Sequence, residues 1–143
     1  MPKIRRLQKK DRQQIIELFH QLVKDPKKFN YFKDLNIDLM IRDRNCHCLV
    51  IEHDKKIIGF GSIIIFLTPV HGHKGRIEDI IIHKDHRRQG LGKKLVQELI
   101  KIAKDKKIKS IHLTSSPKRV EARNLYKILG FEQHDTGVFV LNL

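Results

Sequence analysis

The chain has 143 residues, 40% of them apolar, and carries 30 Lys and Arg against 16 Asp and Glu, a formal net charge of +14. That length suits one compact domain, and the apolar share is too high for a disordered chain. No apolar run approaches the roughly 18–20 residues that span a bilayer, and Met1-Pro2-Lys3-Ile4-Arg5-Arg6 leads into no signal-like stretch, so a soluble cytoplasmic domain over residues 1–143 with no membrane partner is expected. The charge attracts polyanions, but the lysines are scattered and no aromatic-interleaved strand offers bases a stacking surface; a solvated basic surface is favoured and nucleic acid is disfavoured as a partner.

From Asp11, the residues Ile15, Ile16, Leu18, Phe19, Leu22 and Val23 fall at helical spacing, with Asp11 and Gln14 resembling a capping box and Asp25-Pro26 as the stop. A weaker helical segment covers about Asn30 to Ile41. The period then changes: Cys46 to His53 and Ile57 to Leu67 read as a hairpin around Asp54-Lys55-Lys56, with Gly59 and Gly61 marking a bulge or a close backbone approach. After a loop from Thr68 to Gly75, Arg76 to His83 is a strand. A helix runs from about Gly90 to Asp105 on the stripe Leu91, Leu95, Leu99, Ile100 and Ile102, followed by a short strand, Ser110 to Thr114. A helix from about Lys118 to Leu129 is stopped by Gly130, and Phe131 to Leu143 closes with strand character. The order predicts a mixed α/β layer fold.

The chemistry concentrates where the strand Arg76 to His83 passes through Lys84 to Gln89 into the helix. A strand feeding a basic, glycine-containing turn at a helix start aims unpaired N–H groups and the positive end of a dipole at one point, which suits a pyrophosphate. Gly90 and Gly92 permit close approach, while Arg87, Arg88 and Lys93 add positive charge. Neither the Walker phosphate loop nor the dinucleotide-binding glycine pattern is present. Cys46 and Cys48 share a strand face but read as small buried hydrophobes, and His71, His73, His83 and His86 match no standard zinc spacing, so no metal is expected.

Arg87-x-x-Gly90-x-Gly92 resembles the Gln/Arg-x-x-Gly-x-Gly/Ala signature of the GNAT superfamily of N-acetyltransferases, in the strand-to-helix setting that the family requires. The resemblance extends from Ile57-Ile58-Gly59 to Leu125-Tyr126-Lys127-Ile128-Leu129-Gly130-Phe131. It implies a central mixed, mostly antiparallel twisted sheet flanked by helices, with the coenzyme in the splay between the fourth and fifth strands. It also implies acetyl-CoA as co-substrate and direct transfer of acetyl to an amine. The cofactor-binding residues implied are Ile80, Ile81, Ile82, Arg87, Arg88, Gln89, Gly90, Leu91, Gly92, Lys93, Arg119 and Tyr126, with Tyr126 as the acid that protonates the leaving thiolate.

Glu78 and Asp79 are the candidate bases; as strand neighbours they should point to opposite faces, and Glu78 is favoured. Gly75-Arg76-Ile77-Glu78-Asp79-Ile80 resembles a segment of glucosamine 6-phosphate N-acetyltransferases, which makes Glu78, Asp79 and Ile80 substrate-contact candidates and an amino sugar phosphate the leading acceptor. Thr114-Ser115-Ser116-Pro117-x-Arg119 resembles small bacterial-type members instead, and Arg119 stands where many members carry a coenzyme-contacting asparagine. A protein lysine or N-terminus is the alternative acceptor; a basic nucleic-acid module and a catalytically silent acyl-CoA sensor are the rival classes. Val138-Phe139-Val140-Leu141 fits either a homodimer interface or a closing core strand.

Overall fold

The computed structural model describes residues 1–21 and 36–143, which form two compact units, Met1–Leu113 and Thr114–Leu143, each described by itself. The first contains β1 (Lys3–Arg6), a 3-10 turn (Lys9–Asp11), α1 (Arg12–Phe19), α2 (Ile37–Arg42), β2 (Cys46–His53), β3 (Lys56–Thr68), β4 (Gly72–Ile82), a second 3-10 turn (Lys84–His86), α3 (Leu91–Asp105) and β5 (Ile111–His112). The second contains α4 (Val120–Ile128). Leu22, Val23, the Asp25-Pro26 stop and the Asn30 to Leu35 part of the second predicted helix lie outside the described residues.

The sheet runs β1-β2-β3-β4-β5; the first three pairings are antiparallel and β4–β5 is parallel. A parallel neighbour requires a crossover, and α3 supplies it. Leu91, Leu95, Val96, Leu99 and Ala103 form the buried stripe of α3. Leu95 lies over Gly61, so α3 covers the face on which that glycine sits. The opposite face is covered by α1 and α2, where Ile15, Leu18, Phe19 and Ile37 join Cys48, Val50, Phe60 and Ile81 in one buried cluster. Phe19 meets Phe60 edge to face at 4.9 Å.

β1 has no counterpart in the sequence reading, because Lys3-Ile4-Arg5-Arg6 carries three cations in four residues. It is an edge strand whose charges are used: Arg5 donates to Glu52 at 2.7 Å and to both oxygens of Asp11 at 2.8 and 2.9 Å. The predicted capping box does not form. Asp11 turns back to Arg5 and the Gln8 N–H, while Gln14 accepts from the Ile57 N–H at 2.8 Å and ties α1 to the hairpin. The predicted closing strand is also absent, since residues 131–143 contain no helix or strand; Phe139 is 98% exposed. Among the described residues no helix is long and apolar enough to cross a membrane.

Asp11 is almost fully buried; burial alone would push its carboxyl up, but the Arg5 guanidinium and the Gln8 N–H hold it below the usual range. Folding therefore lowers this pKa, and the stabilisation is complete above the ordinary value of 3.8 and is lost as the pH falls through the lower folded value. Asp11→Ala strands Arg5 beside Glu52 alone and should cost about 3 kcal/mol in urea denaturation at neutral pH, with the difference from wild type shrinking in acid.

Candidate active site

On β4 the ladder with β3 slips: Ser62 pairs with Glu78 and Phe60 with Ile81, so Gly61 alone faces both Asp79 and Ile80. This is a β-bulge, and Asp79 takes the left-handed φ of +56° that it requires. Aspartate tolerates that region better than most side chains. A Cβ at Gly61 would lie 2.6 Å from Ile80 Cδ1. The bulge interrupts the regular alternation on which the expectation for Glu78 and Asp79 rests. Glu78 shares the α1/α2 face with Ser62 and Phe60, and Ile80 packs towards Leu95 on the α3 face.

The acid pair differs in environment. Glu78 is half-exposed, with Arg76 Nε 3.9 Å from its carboxylate. Asp79 keeps an exposed outer surface, yet the protein around its carboxylate removes enough water to push its pKa up. The Glu78 carbonyl accepts from Ser62 Oγ at 3.0 Å, which pins the strand at the start of the bulge.

Beyond Arg76, β4 has lost its neighbour. Its pairing with β5 consists of Gly75–Ile111 and Arg76–His112 alone. The His83 N–H donates to the Ile58 carbonyl on the β3 side, and backbone direction alternates along a strand, so Ile82 and Ile80 turn their N–H and C=O groups to the open edge. The Ile82 carbonyl there accepts from Arg87 Nε at 3.0 Å. Ile81 is directed the other way, with its backbone on the β3 side and its side chain in the core.

The turn that follows is built to receive an anion. Arg88 and Gly90 both have left-handed φ, +60° and +74°, and together they swing the chain from β4 into α3. Gly90 is the N-cap, no side chain caps the helix among the described residues, and its first turn holds no acidic residue. The Lys94 N–H makes the first bond back to the Gly90 carbonyl, leaving the N–H groups of Leu91, Gly92 and Lys93 at the dipole's positive end. Arg87, Arg88, Gln89, Gly90 and Lys93 are exposed around them, and a Cβ at Gly90 would meet nothing within 4 Å. These residues fit a pyrophosphate such as that of coenzyme A. The Leu91 side chain is buried, so its N–H is what it offers.

The second unit holds Tyr126 and Arg119. Gly130 has φ +94°; its N–H donates to Lys127 and that of Phe131 to Tyr126, closing α4 in a Schellman motif as the glycine's place in the sequence predicts. The motif's hydrophobic contact is the Tyr126–Phe131 ring pair, with centroids 5.8 Å apart. Burial pushes the Tyr126 phenol up, partly offset by the charge of Arg119 at the α4 N-cap, so it stays protonated at neutral pH.

Among the described residues no three His, Cys, Asp or Glu side chains converge as a metal site. His53, His83 and His86 form a chain of ring contacts at 5.8–6.0 Å, and Cys46 and Cys48 place their sulfurs 3.6 Å apart. Sequence reasoning did not single out Ser62 or Phe66; Phe66 has its ring centroid 5.9 Å from the Arg76 guanidinium carbon. The glycine at 61 was the available signal for the bulge that joins them to the site.

Residues 7–131 match the Acetyltransferase (GNAT) family. Over 92 residues the chain is 28% identical to the thialysine N-epsilon-acetyltransferase of Bos taurus, with 59% of this chain and 54% of the relative covered. Over 82 residues it is 33% identical to the glucosamine 6-phosphate N-acetyltransferase of Trypanosoma brucei brucei, with 56% and 54% covered. The chain thus spans about half the length of these curated relatives. Among solved structures, a transcriptional regulator from Bacillus halodurans C-125 has a TM-score of 0.86 and 25% identity, with 99% of this chain and 100% of that one covered.

Gly90→Asp sets a carboxylate at the uncapped helix start and forces a non-glycine residue to φ +74°. It should cost about 1 kcal/mol of stability and weaken coenzyme A binding at least about tenfold, as read by calorimetric titration.

Proposed function

The chain belongs to the acetyltransferase (GNAT) family, and we propose that it moves an acetyl group from acetyl-coenzyme A directly to the primary amine of a small molecule, with an amino sugar phosphate such as glucosamine 6-phosphate as the leading acceptor. The observation that carries this reading is the continuity of one stretch of chain, Glu78 to Lys93, which holds the acid pair, the open strand edge and the anion turn in succession. The trypanosomal relative's name supports the sugar, and the bovine relative's name supports a small amine more broadly. We read residues 1–143 as one N-acetyltransferase domain acting in the cytoplasm; the exposed Val138 to Leu141 run supports a homodimer.

In this mechanism acetyl-coenzyme A supplies a thioester whose carbonyl carbon the amine attacks. The N–H groups of Leu91, Gly92 and Lys93, with Arg87 and Arg88, bind the phosphates, and the Ile80 and Ile82 backbone orients the arm along the open edge of β4. An ammonium must lose a proton before it is nucleophilic. Sequence alone favours Glu78 as base. The loss of water around the Asp79 carboxylate, which pushes its pKa up, supports Asp79 in that role, with Glu78 holding the ammonium. Tyr126, kept protonated by burial, is the proton donor to the leaving sulfur.

Thiol release from acetyl-coenzyme A in the presence of glucosamine 6-phosphate, thialysine or a lysine peptide tests the reading. The sugar phosphate should give the highest kcat/KM, and Tyr126→Phe should lower kcat about 100-fold. The rate should rise with pH as Asp79 ionises, with a midpoint above the ordinary 3.8, and should fall again only beyond the ordinary phenol value of 10.0. Asp79→Asn should abolish the acidic limb. Release of no thiol with any amine contradicts the proposal, and an unchanged acidic limb in Asp79→Asn returns the base role to Glu78.

A further inference from the structure

The α1/α2 face of the sheet continues past the acid pair into a strip that the reaction does not use. The register aligns three successive rows on it: Ser62 with Glu78, Ile64 with Arg76 and His112, and Phe66 with Lys74. Gly75 and Ile111 face the other way, since a Cβ on Gly75 would meet Ile63 and Ile111; this places Arg76 and His112 together on the α1/α2 side. Three groups able to carry positive charge thus lie near one aromatic ring, with Arg76 between that ring and Glu78.

Arg76 is the organised member. Its guanidinium carbon lies 5.9 Å from the Phe66 ring centroid, and its Nε stands 3.9 Å from Glu78. The latter exceeds hydrogen-bond length and joins two half-exposed groups, so it steers the side chain without neutralising it. The aromatic contact restrains the guanidinium. A guanidinium restrained in this way suits a phosphate or carboxylate in two-point geometry.

Arg76 and Glu78 project from the same face of β4, with Arg76 Nε 3.9 Å from the Glu78 carboxylate. We infer that Arg76 is a specificity residue that selects acceptor amines carrying an oxyanion on the same molecule, with the amine at the Glu78–Asp79 bulge and the oxyanion on the guanidinium. The inference rests on the acetyltransferase reading above and adds the chemical requirement on the acceptor. The Phe66 ring supports the guanidinium from the side away from Glu78, in the row of Lys74, and Lys74 and His112 flank the anion.

The test compares matched acceptors with the full chain: glucosamine 6-phosphate against glucosamine for a phosphate, and lysine against 1,5-diaminopentane for a carboxylate. For at least one pair the wild-type protein should prefer the anionic member, and Arg76→Gln should cut that preference, a ratio of kcat/KM values, by about 10- to 100-fold, mainly through KM. Arg76→Lys should keep part of it, and thermal unfolding of both variants should match wild type to exclude a folding defect. The pair that loses its ratio identifies the oxyanion. No preference in the wild type for either pair, or ratios unchanged in Arg76→Gln, overturns the inference while leaving the acetyltransferase reading intact; no thiol release with any of the four amines removes both.

Discussion

Gly61 faces two residues of β4 by itself, and the geometry of the candidate site follows from that. A Cβ there would lie 2.6 Å from Ile80 Cδ1 and 3.1 Å from Leu95 Cδ2, so a side chain at this position would have to displace the Ile80 methyl. The extra residue is Asp79, held at positive φ, and the slip it introduces decides which groups lie where. Upstream of it, Arg76 and Glu78 share the α1/α2 face; downstream, Ile80 and Ile82 present their backbone to the open edge. A regular strand would offer the same residues in a different order on the two faces.

The two edges of the sheet are built for different ends. At β1 the backbone is paired over the whole strand and Arg5 gathers Asp11 and Glu52, so polar groups there are spent on stability. At β4 the pairing stops after Arg76 and the helix that follows begins without a cap. Backbone donors without a partner within the described residues at an open edge are left to water or to a ligand. The proposed function uses them, because a phosphate and an amide-bearing arm would bond to the same donors. Left-handed Arg88 adds strain in the same turn, while Gly90 takes its positive φ without steric cost, and the change of direction sets the N–H groups of α3 towards one point.

What was legible in the sequence is what depends on one segment alone. The stripe Leu91, Leu95 and Leu99 is a helical period whatever it packs on, and Gly130 ends α4 because only the local chain has to turn. The anion turn is legible for the same reason, since its glycines, arginines and helix start are contiguous. Features that depend on two segments were not. β1 reads as a charged tail until Asp11 and Glu52 are brought to Arg5. Gly61 marks a bulge or close approach in the sequence, but that Asp79 is the extra residue depends on how β3 and β4 pair. Asp11 and Gln14 read as a local cap, yet each finds a better partner at a distance. In the last segment, Val138 to Leu141 has strand-like composition without strand pairing, because composition alone supplies no partner.

One backbone edge, one helix start and one acid pair make up the proposed acetyl-transfer site, in which the coenzyme would be held by main-chain groups of β4 and α3. Amide hydrogen exchange resolved by residue, with and without coenzyme A, tests this most directly. At a ligand concentration about 100 times Kd, exchange at Ile80, Ile82, Leu91, Gly92 and Lys93 should slow by up to about 100-fold, while amides of β2 such as Leu49 stay as they were. Binding that leaves those five amides unprotected, or protects a different surface, would contradict the account.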